Sequence, residues 1–293
     1  MIRKKLWKIP IPIAIAIIIA LFAGGGALIY ALTKTTEKAG PVGYWKFDEG
    51  AGTVAYDASG NANNGTLTNF DFNDNSNWTT GKVAGALEFD GSNDYVDAGT
   101  GASLDMGTGD ATVEMWIKLA SISRNHGLIR TRTDGDSDAG ISWYYLSALN
   151  KIYFRFCDGS TTRLEHSSSA FTITDTNWHL ITVTYDRDGN ATYYLDGISK
   201  FALAISTQQG NITNSASLRL GYGTTYYQNG LIDEVRVYNR ALSAAEISWN
   251  YNRRGPVGWW PFDEGSGQEV HDRSGNDNHG DWNGTGDHWA EGN

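Results

Sequence analysis

The chain has 293 residues, with 23 lysines and arginines against 33 aspartates and glutamates, and a formal net charge of −10. An acidic surface repels phosphate backbones, so this charge argues against nucleic-acid binding. Glycine is abundant, at 35 residues, and Cys157 is the only cysteine, which excludes an intrachain disulfide and a cysteine-based zinc site. The fold must therefore rest on a hydrophobic core.

The first forty residues differ in charge from the rest of the chain. They hold six basic residues and one acidic residue, whereas residues 41–293 hold 17 basic and 32 acidic residues. Residues 9–33 form an uncharged run of 25 residues rich in Ile, Ala and Leu, and about 20 apolar residues cross a bilayer. We expect residues 1–33 to hold one transmembrane helix and residues 34–40 to form a linker. Basic residues before the run predict a cytoplasmic N-terminus.

A cleavable signal peptide is the alternative for this leader. The apolar region of a signal peptide is usually about 7 to 15 residues long, which is shorter than the run observed here. Small residues from Ala23 to Ala27 nevertheless offer a peptidase site. The sequence therefore predicts a single-pass cell-membrane protein with an extracellular C-terminal domain, or a secreted protein if the leader is cleaved.

Beyond the linker, short alternating apolar runs are separated by Gly, Asn and Asp, a pattern typical of a β-sandwich or barrel. The clearest hairpin spans residues 179–195, where an Asp-Gly pair joins two alternating runs. Residues 243–251 show a helical pattern, in which Ser243 and Glu246 have the spacing of a capping box. Further strands are predicted at residues 86–89, 112–119, 152–156, 217–221 and 231–238.

An internal repeat is the strongest organisational signal. Residues 41–65 and 256–280 share 15 identities in 25 positions at an offset of 215 residues. A unit of this length is a whole domain copied in tandem rather than a solenoid repeat. We expect residues 41–252 to form one complete domain and residues 253–293 to be the truncated start of a second, because so short a segment cannot close a sandwich. The alternative is a tail that is disordered or pairs with another chain.

Four sequence blocks carry a resemblance to a known family. The blocks include Gly-Tyr-Trp-Lys-Phe-Asp-Glu-Gly at 43–50 and Leu-Ile-Asp-Glu-Val-Arg-Val-Tyr-Asn-Arg-Ala-Leu-Ser at 231–243, with residues 85–96 and 178–197 between them. In this order and spacing they resemble the LamG-like jelly-roll family of the concanavalin A-like lectin/glucanase superfamily. The resemblance implies an all-β fold, a jelly-roll sandwich of two antiparallel sheets.

The resemblance also implies that the first and last strands lie close together, where family members commonly hold a calcium ion. Calcium takes roughly six to eight oxygen ligands. Asp48, Asn63 and Asp233 are the candidate ligands, with backbone oxygens completing the shell. The alternative is that Asp57 and Asn61 only shape Asx turns and that Asp233 caps the end of a strand.

Catalytic patterns are missing from the sequence. Relatives that hydrolyse glycans with retention need two carboxylates about 5 Å apart, and the nearest pattern, Glu88-Phe89-Asp90, has no second Glu after it. The six histidines do not have the spacing of a metal site or a catalytic triad. We therefore predict no catalytic residues and no enzymatic activity.

Aromatic side chains give the candidate ligand-binding residues. In the strand that contains Trp143, Tyr144 and Tyr145, side chains alternate between faces, so at least one ring points away from the core. Tyr226 lies in a predicted loop. We name Trp143, Tyr145 and Tyr226 as candidate platforms for a ligand, with burial in the core as the alternative.

The predicted function is non-catalytic binding or adhesion at the cell surface. The expected ligand is carbohydrate, either free or as a cell-surface glycan, with a cell-surface protein as a further possibility. Two alternatives stay open: a structural spacer or protein-interaction module, and an accessory domain of a larger secreted glycan-active enzyme.

Overall fold

The computed structural model describes residues 40–73, 77–133, 138–159, 164–213, 215–223 and 225–252, and the short segments 269–270 and 280–281. No helix within these ranges is long and apolar enough to span a membrane. The predicted transmembrane segment, residues 1–33, lies outside the described residues, as does most of the predicted second copy, residues 253–293.

The described residues form strands β1 to β18 and helix α1. In chain order they are β1 (Gly43–Trp45), β2 (Val54–Ala55), β3 (Gly65–Thr68), β4 (Trp78–Thr80), β5 (Gly85–Asp90), β6 (Tyr95–Asp97), β7 (Ala111–Leu119), β8 (His126–Arg130), β9 (Gly140–Leu146), β10 (Lys151–Cys157), β11 (Leu164–His166), β12 (Trp178–Tyr185), β13 (Asn190–Leu195), β14 (Ile198–Ala204), β15 (Arg219–Leu220), β16 (Asn229–Tyr238), α1 (Ala244–Asn252), β17 (Glu269–Val270) and β18 (Gly280–Asp281).

Two antiparallel sheets pack face to face, which confirms the predicted jelly-roll sandwich. The first sheet runs β14-β13-β12-β7-β16-β5-β4, with β1 also paired to β16. The second sheet runs β11-β10-β9-β8-β15-β6-β3-β2. The first and last strands of the domain, β1 and β16, are therefore neighbours, as the family resemblance implies.

The core lies between the sheets because alternate residues of each strand point inward. Large side chains from both sheets are fully buried there, among them Trp45, Phe89, Trp143, Phe154 and Tyr185. With no disulfide in the chain, burial of these apolar surfaces is the main source of stability.

The predicted hairpin and helix are confirmed. Strands β12 and β13 pair from Ile181 to Tyr185 around the Asp-Gly turn. At the start of α1, Ser243 Oγ accepts a hydrogen bond from the Glu246 amide at 3.4 Å, and Glu246 Oε2 accepts one from the Ser243 amide at 2.9 Å. This reciprocal pair is the predicted capping box.

The described part of the predicted second copy repeats one strand pairing of the first. Strand β17 pairs with β18 so that Glu269 lies opposite Asp281 and Val270 opposite Gly280. In the first copy the equivalent residues, 215 positions earlier, also pair: Val54 of β2 lies opposite Thr66 of β3, and Ala55 lies opposite Gly65. The domain boundaries and the second copy as a whole stay predictions.

Candidate functional site

The outer face of the second sheet carries a row of tyrosines across its strands. At one end Tyr153 on β10 lies opposite Tyr144 on β9, with ring centroids 5.5 Å apart. Tyr226 packs against Tyr144 at 6.0 Å. At the other end Tyr222 packs against Tyr95 at 6.1 Å.

The loop tyrosine Tyr227 joins the row through its contact with Tyr222, at 5.1 Å between ring centroids. We call the six residues the tyrosine face: Tyr95, Tyr144, Tyr153, Tyr222, Tyr226 and Tyr227. All except Tyr144 are partly exposed. From β10 to β6 the row crosses four strand spacings, or about 19 Å, which makes it an elongated surface.

A glycine lets the loop approach the sheet closely enough to form this face. A Cβ atom on Gly127 of β8 would lie only 2.0 Å from the Tyr226 carbonyl oxygen and 2.1 Å from the Gly223 nitrogen. Both neighbours are backbone atoms, so a larger residue would displace the loop. Gly127 therefore fixes the height of Tyr222 and Tyr226 above the strands.

A row of charged side chains runs beside the tyrosines. The strand register places Arg155, Ser142, Arg130, Arg219 and Asp97 opposite one another in that order, from β10 to β6. The register thus puts three arginines on the same face as the tyrosines.

Each arginine of this row lies over a tyrosine ring. The guanidinium carbon of Arg155 is 5.1 Å from the Tyr144 ring centroid. Arg219 lies over Tyr95, at 5.0 Å. Arg130 lies 5.5 Å from the ring of Tyr222. Such cation–π contacts hold both groups in defined positions.

Ion pairs and hydrogen bonds fix the two ends of the face. Arg155 Nη2 lies 3.2 Å from Glu165 Oε1, and the Tyr144 hydroxyl donates to the same carboxylate. Burial and the hydrogen bond to Glu165 raise the pKa of Tyr144, so its phenol stays protonated. At the other end Arg219 Nε lies 3.5 Å from Asp97 Oδ2.

The structure corrects the assignment of Trp143 and Tyr145 as platforms, because both side chains are fully buried, with 0% exposure. Residues two apart on a strand share a face, and here that face is the inner one. Trp143 Nε1 donates to the Tyr185 hydroxyl at 3.1 Å, and the Tyr145 hydroxyl donates to Asn150 Oδ1 at 3.0 Å. Tyr144, between them, points outward, and Tyr226 lies on the tyrosine face and remains a candidate.

Two of the predicted calcium ligands meet at the loop between β4 and β5. Asp48 Oδ1 accepts a hydrogen bond from the Gly85 amide at 2.8 Å, and Asp233 Oδ2 accepts one from the Val83 amide at 2.9 Å. Asp233 is fully buried, and its Oδ1 has no hydrogen-bond partner in the described structure. Burial, aided by the negative charge of Asp48, raises the pKa of Asp233 to about 7. Burial thus outweighs the backbone hydrogen bonds and the positive charge of Arg236, which lower this pKa.

The backbone around this carboxylate pair is unusual. Phe47, Ala84 and Glu234 all have positive φ angles, of 57°, 50° and 53°. Each adjoins a residue of the loop or of the carboxylate pair, and the ladder between β16 and β7 is irregular between Asp233 and Arg236. A bulge of this kind changes the direction of side chains relative to a regular strand.

Asn63 lies in a different hydrogen-bond network. Its amide group donates to Val42 O at 3.0 Å, Asp57 Oδ2 at 3.0 Å and Ser103 Oγ at 2.9 Å. Asp57 also accepts from the amides of Tyr44 and Asn63, at 2.9 Å each. These bonds shape the loop, which is the alternative role stated for Asp57. Within the described ranges, no three His, Cys, Asp or Glu side chains are grouped as a metal site would need.

The outer face of the first sheet carries a buried charge network beneath α1. Glu114, which is 0% exposed, accepts from Arg236 Nη1 at 2.9 Å and from Asn250 Nδ2 at 2.9 Å. Arg236 also pairs with Glu234, and Glu234 accepts from the Tyr44 hydroxyl. Both carboxylates are engaged by the same arginine and are hidden from solvent.

A separate cavity of about 280 Å³ opens between the loops after β6 and before β15. Its apolar wall comes from Leu104, Met106, Ile212 and Leu218. Asp105 lies on its polar side. This cavity is a second candidate site, to be compared with the tyrosine face.

Comparisons with known proteins agree with this fold. A family model described as the concanavalin A-like lectin/glucanases superfamily matches residues 90–248. Comparison with curated protein sequences finds no match.

Several solved structures share the sandwich. The binding domain of Paraclostridial Mosquitocidal Protein 1 has a TM-score of 0.58 at 17% identity, covering 73% of this chain and 52% of that domain. A botulinum neurotoxin type C structure, described as dependent on two ganglioside molecules for cell entry, has a TM-score of 0.54 at 13% identity, covering 75% of this chain and 52% of that one. The chain thus spans about half the length of these toxin domains.

Domain 4 of the extracellular arabinanase AbnA from Geobacillus stearothermophilus, in complex with arabinotriose, is also similar. Its TM-score is 0.52 at 18% identity, covering 72% of this chain and 98% of that domain. At these identities the likeness shows the shared fold alone.

Proposed function

The chain belongs to the concanavalin A-like lectin/glucanase superfamily, and on this basis we propose that it is a non-catalytic module that binds carbohydrate through the tyrosine face. The observation that carries the proposal is the row of six tyrosines on one outer sheet face, with five of the rings partly exposed. Each ring has an apolar surface on which a sugar ring can stack and a hydroxyl that hydrogen-bonds.

The tyrosine face is well suited to binding because it is held in place before a ligand arrives. Tyr144 is fixed by Tyr153, Arg155 and Glu165. Tyr222 is fixed in the same way by Tyr95 and Tyr227. Tyrosine loses little side-chain entropy on binding, and a preformed surface avoids the ordering cost that weakens flexible sites.

The solved relatives support carbohydrate as the first ligand class to test. The arabinanase domain was crystallised with arabinotriose, and it matches this chain over 98% of its own length. The same likeness favours a second candidate function, an accessory domain of a larger glycan-active enzyme. Sequencing the gene beyond Asn293 tests that candidate, which requires a catalytic domain in the same protein.

The proposed location is the cell surface. A basic segment followed by 25 uncharged residues directs the chain to a membrane or through it. On either reading of the leader we propose that the acidic domain faces outward, where glycans of the same or another cell are available. Adhesion or attachment to a glycan-bearing surface is the biological role that we propose.

We also propose that calcium binds at Asp48 and Asp233 and stabilises the fold. The two side chains fit such an ion because one Asp233 oxygen is buried without a partner and carboxylate oxygens are the ligands that calcium prefers. Backbone carbonyls nearby would complete the shell. Asn63 does not fit, because its amide group is already engaged with Val42, Asp57 and Ser103.

Glycan binding by the full chain tests the main proposal. We expect binding on a glycan array, and we expect Tyr153→Ala to weaken it by about tenfold or more, as removal of an anchoring aromatic residue does at other interfaces. Trp249→Ala is the matched control, since Trp249 is an exposed aromatic residue on α1, against the other sheet. Silence on the array with and without calcium would instead favour a spacer or protein-interaction module.

A further inference from the structure

We propose that the glycan bound by the tyrosine face carries carboxylate groups, as uronic acids do, and that Arg219 binds them. The inference rests on the proposed function and deepens it by naming the class of sugar. It comes from the charged row beside the tyrosines, in which Arg219 keeps part of its side chain exposed.

Arg219 is held in a fixed orientation with part of its side chain in solvent. Its guanidinium lies between two rings, 5.0 Å from Tyr95 and 5.8 Å from Tyr222. Its Nε is buried and makes no hydrogen bond in the described structure, yet the side chain as a whole is 40% exposed. The side chain is therefore accessible beside its 3.5 Å contact with Asp97, and a planar guanidinium can bind a carboxylate through two parallel hydrogen bonds.

A second arginine lies directly opposite the first. Arg130 on β8 is the cross-strand partner of Arg219 on β15, and like charges in this position destabilise a sheet. The side chain of Arg130 is held near Arg219, because its Nε donates a hydrogen bond to the Arg132 carbonyl oxygen at 2.6 Å. The two guanidinium groups thus lie on neighbouring strands of the tyrosine face.

The geometry links the arginines to the stacking surface. Same-face positions on one strand are about 7 Å apart, so the arginine row runs beside the tyrosine row at that distance. A sugar ring stacked on a tyrosine would bring a carboxylate on its edge within reach of Arg219.

The overall charge limits which anions fit. Residues 41–293 carry 17 basic against 32 acidic residues, and such a body repels densely charged polymers such as nucleic acids and highly sulfated glycans. A carboxylate on an otherwise uncharged sugar can bind the local arginines, because so small a negative charge is only weakly repelled by the acidic body of the protein. We therefore infer a sparsely charged, carboxylated glycan.

The test compares two ligands that differ only in charge. A galacturonate oligomer and its carboxyl-reduced neutral counterpart are titrated into the full chain by calorimetry. We expect the acidic oligomer to bind about tenfold more tightly, as one charge-assisted bidentate contact provides. Arg219→Gln should remove most of this preference, and Arg219→Lys should retain part of it. Lys200→Gln, an equal charge change on β14 of the other sheet, should leave the preference intact.

The outcomes separate the inference from the proposed function. Equal affinity for both oligomers, with binding still dependent on Tyr153, would overturn the inference and leave the carbohydrate module standing. Equal loss of preference in Lys200→Gln would also overturn it, because a general charge effect would then be sufficient. Binding of neither these nor other glycans would remove the proposed function and the inference together. Melting curves of each variant exclude unfolding as the cause.

Discussion

The outer faces of the two sheets use arginine in opposite ways. On the first sheet Arg236 has a side chain that is only 4% exposed and lies between Glu114 and Glu234 beneath α1. On the second sheet Arg219 is 40% exposed and has a single acidic neighbour, Asp97, at 3.5 Å. Both are arginines in strands, yet the buried one pairs with two carboxylates whereas the exposed one keeps part of its side chain in solvent. Arg236 therefore stabilises the first sheet, whereas Arg219 is the arginine for which we propose a role in binding.

Helix α1 accounts for much of this difference. Its inner side packs Ile247 against Tyr194, Tyr238 and Leu242 of the first sheet and its flank, and its Asn250 donates to Glu114. The second sheet instead presents partly exposed tyrosines at its outer face. A sandwich with one face covered in this way has the other available for a ligand.

Removal of Arg236 should give the largest effect. Arg236→Gln would leave Glu114 and Glu234 buried without a compensating charge, which typically costs about 3–5 kcal/mol. Arg219→Gln, on the exposed face, should change the free energy of unfolding by about 1 kcal/mol or less. Urea unfolding of the two variants measures both values. Similar losses in the two variants would break the distinction between the faces.

Calcium should give the next largest effect, through the buried carboxylate of the first sheet. At a concentration about 100-fold above the dissociation constant, we expect a rise in Tm of about 5–10 °C. Asp233→Asn should abolish this rise, because it removes the negative charge that is buried beside Asp48.

Asp57→Asn is the control for the calcium experiment, since Asp57 belongs to the separate Asn63 network. This variant should start from a lower Tm but keep the calcium-induced rise. A rise lost in Asp57→Asn and kept in Asp233→Asn would move the site to the Asn63 loop. No rise in the unmodified protein would remove calcium from the account.

An ion pair of intermediate burial should give the smallest effect. His179 Nδ1 lies 2.9 Å from Asp196 Oδ2, and Nε2 lies 3.1 Å from Asp175 Oδ1. Burial lowers the pKa of His179, but the two carboxylates outweigh burial and raise it. The folded state therefore gains stability from the imidazolium below about pH 6.5 and loses it as the pH rises through the raised pKa.

The size of this contribution should be about 1 kcal/mol or less, because the carboxylates are partly exposed. The stability difference between the unmodified protein and His179→Gln, measured by urea unfolding at several pH values, should shrink with rising pH. A difference that is constant or grows with pH would contradict the assignment.

The sequence was sufficient to predict the fold because its signals are local. The alternating runs around one Asp-Gly turn became β12 and β13, and the Ser243–Glu246 spacing became the cap of α1. The first and last family blocks contain β1 and β16, and these two strands pair, as the resemblance implied.

The binding surface was harder to predict because it depends on register between strands. Alternation shows that Trp143 and Tyr145 share one face and that Tyr144 occupies the other, but it does not show which face is inner. The pairing of Tyr144 with Tyr153 and of Arg130 with Arg219 appears only once β8, β9, β10 and β15 are aligned. The sequences of these strands all show the same alternation of apolar and polar residues, so no local signal determines how the strands align.

The calcium candidates illustrate the same limit over a longer distance. Asp48 and Asp233 lie close together because β1 pairs with β16, although almost the whole domain separates these two strands in sequence. The family resemblance supplied this proximity. Asn63 follows β1 closely in sequence, yet hydrogen bonds to Asp57 and Ser103 hold it in a separate network.

Mapping the bound glycan on the protein by NMR tests the central claim most directly. Selectively labelled tyrosines in the full chain are observed during titration with a glycan found on the array. We predict that the signals of Tyr153, Tyr226 and Tyr95 shift together and saturate at one dissociation constant, while Tyr56, an exposed tyrosine outside the row, stays unchanged. Unchanged tyrosine-face signals, with shifts confined to the 280 Å³ cavity beside Leu104 and Ile212 in a labelled-methyl sample, would contradict the account.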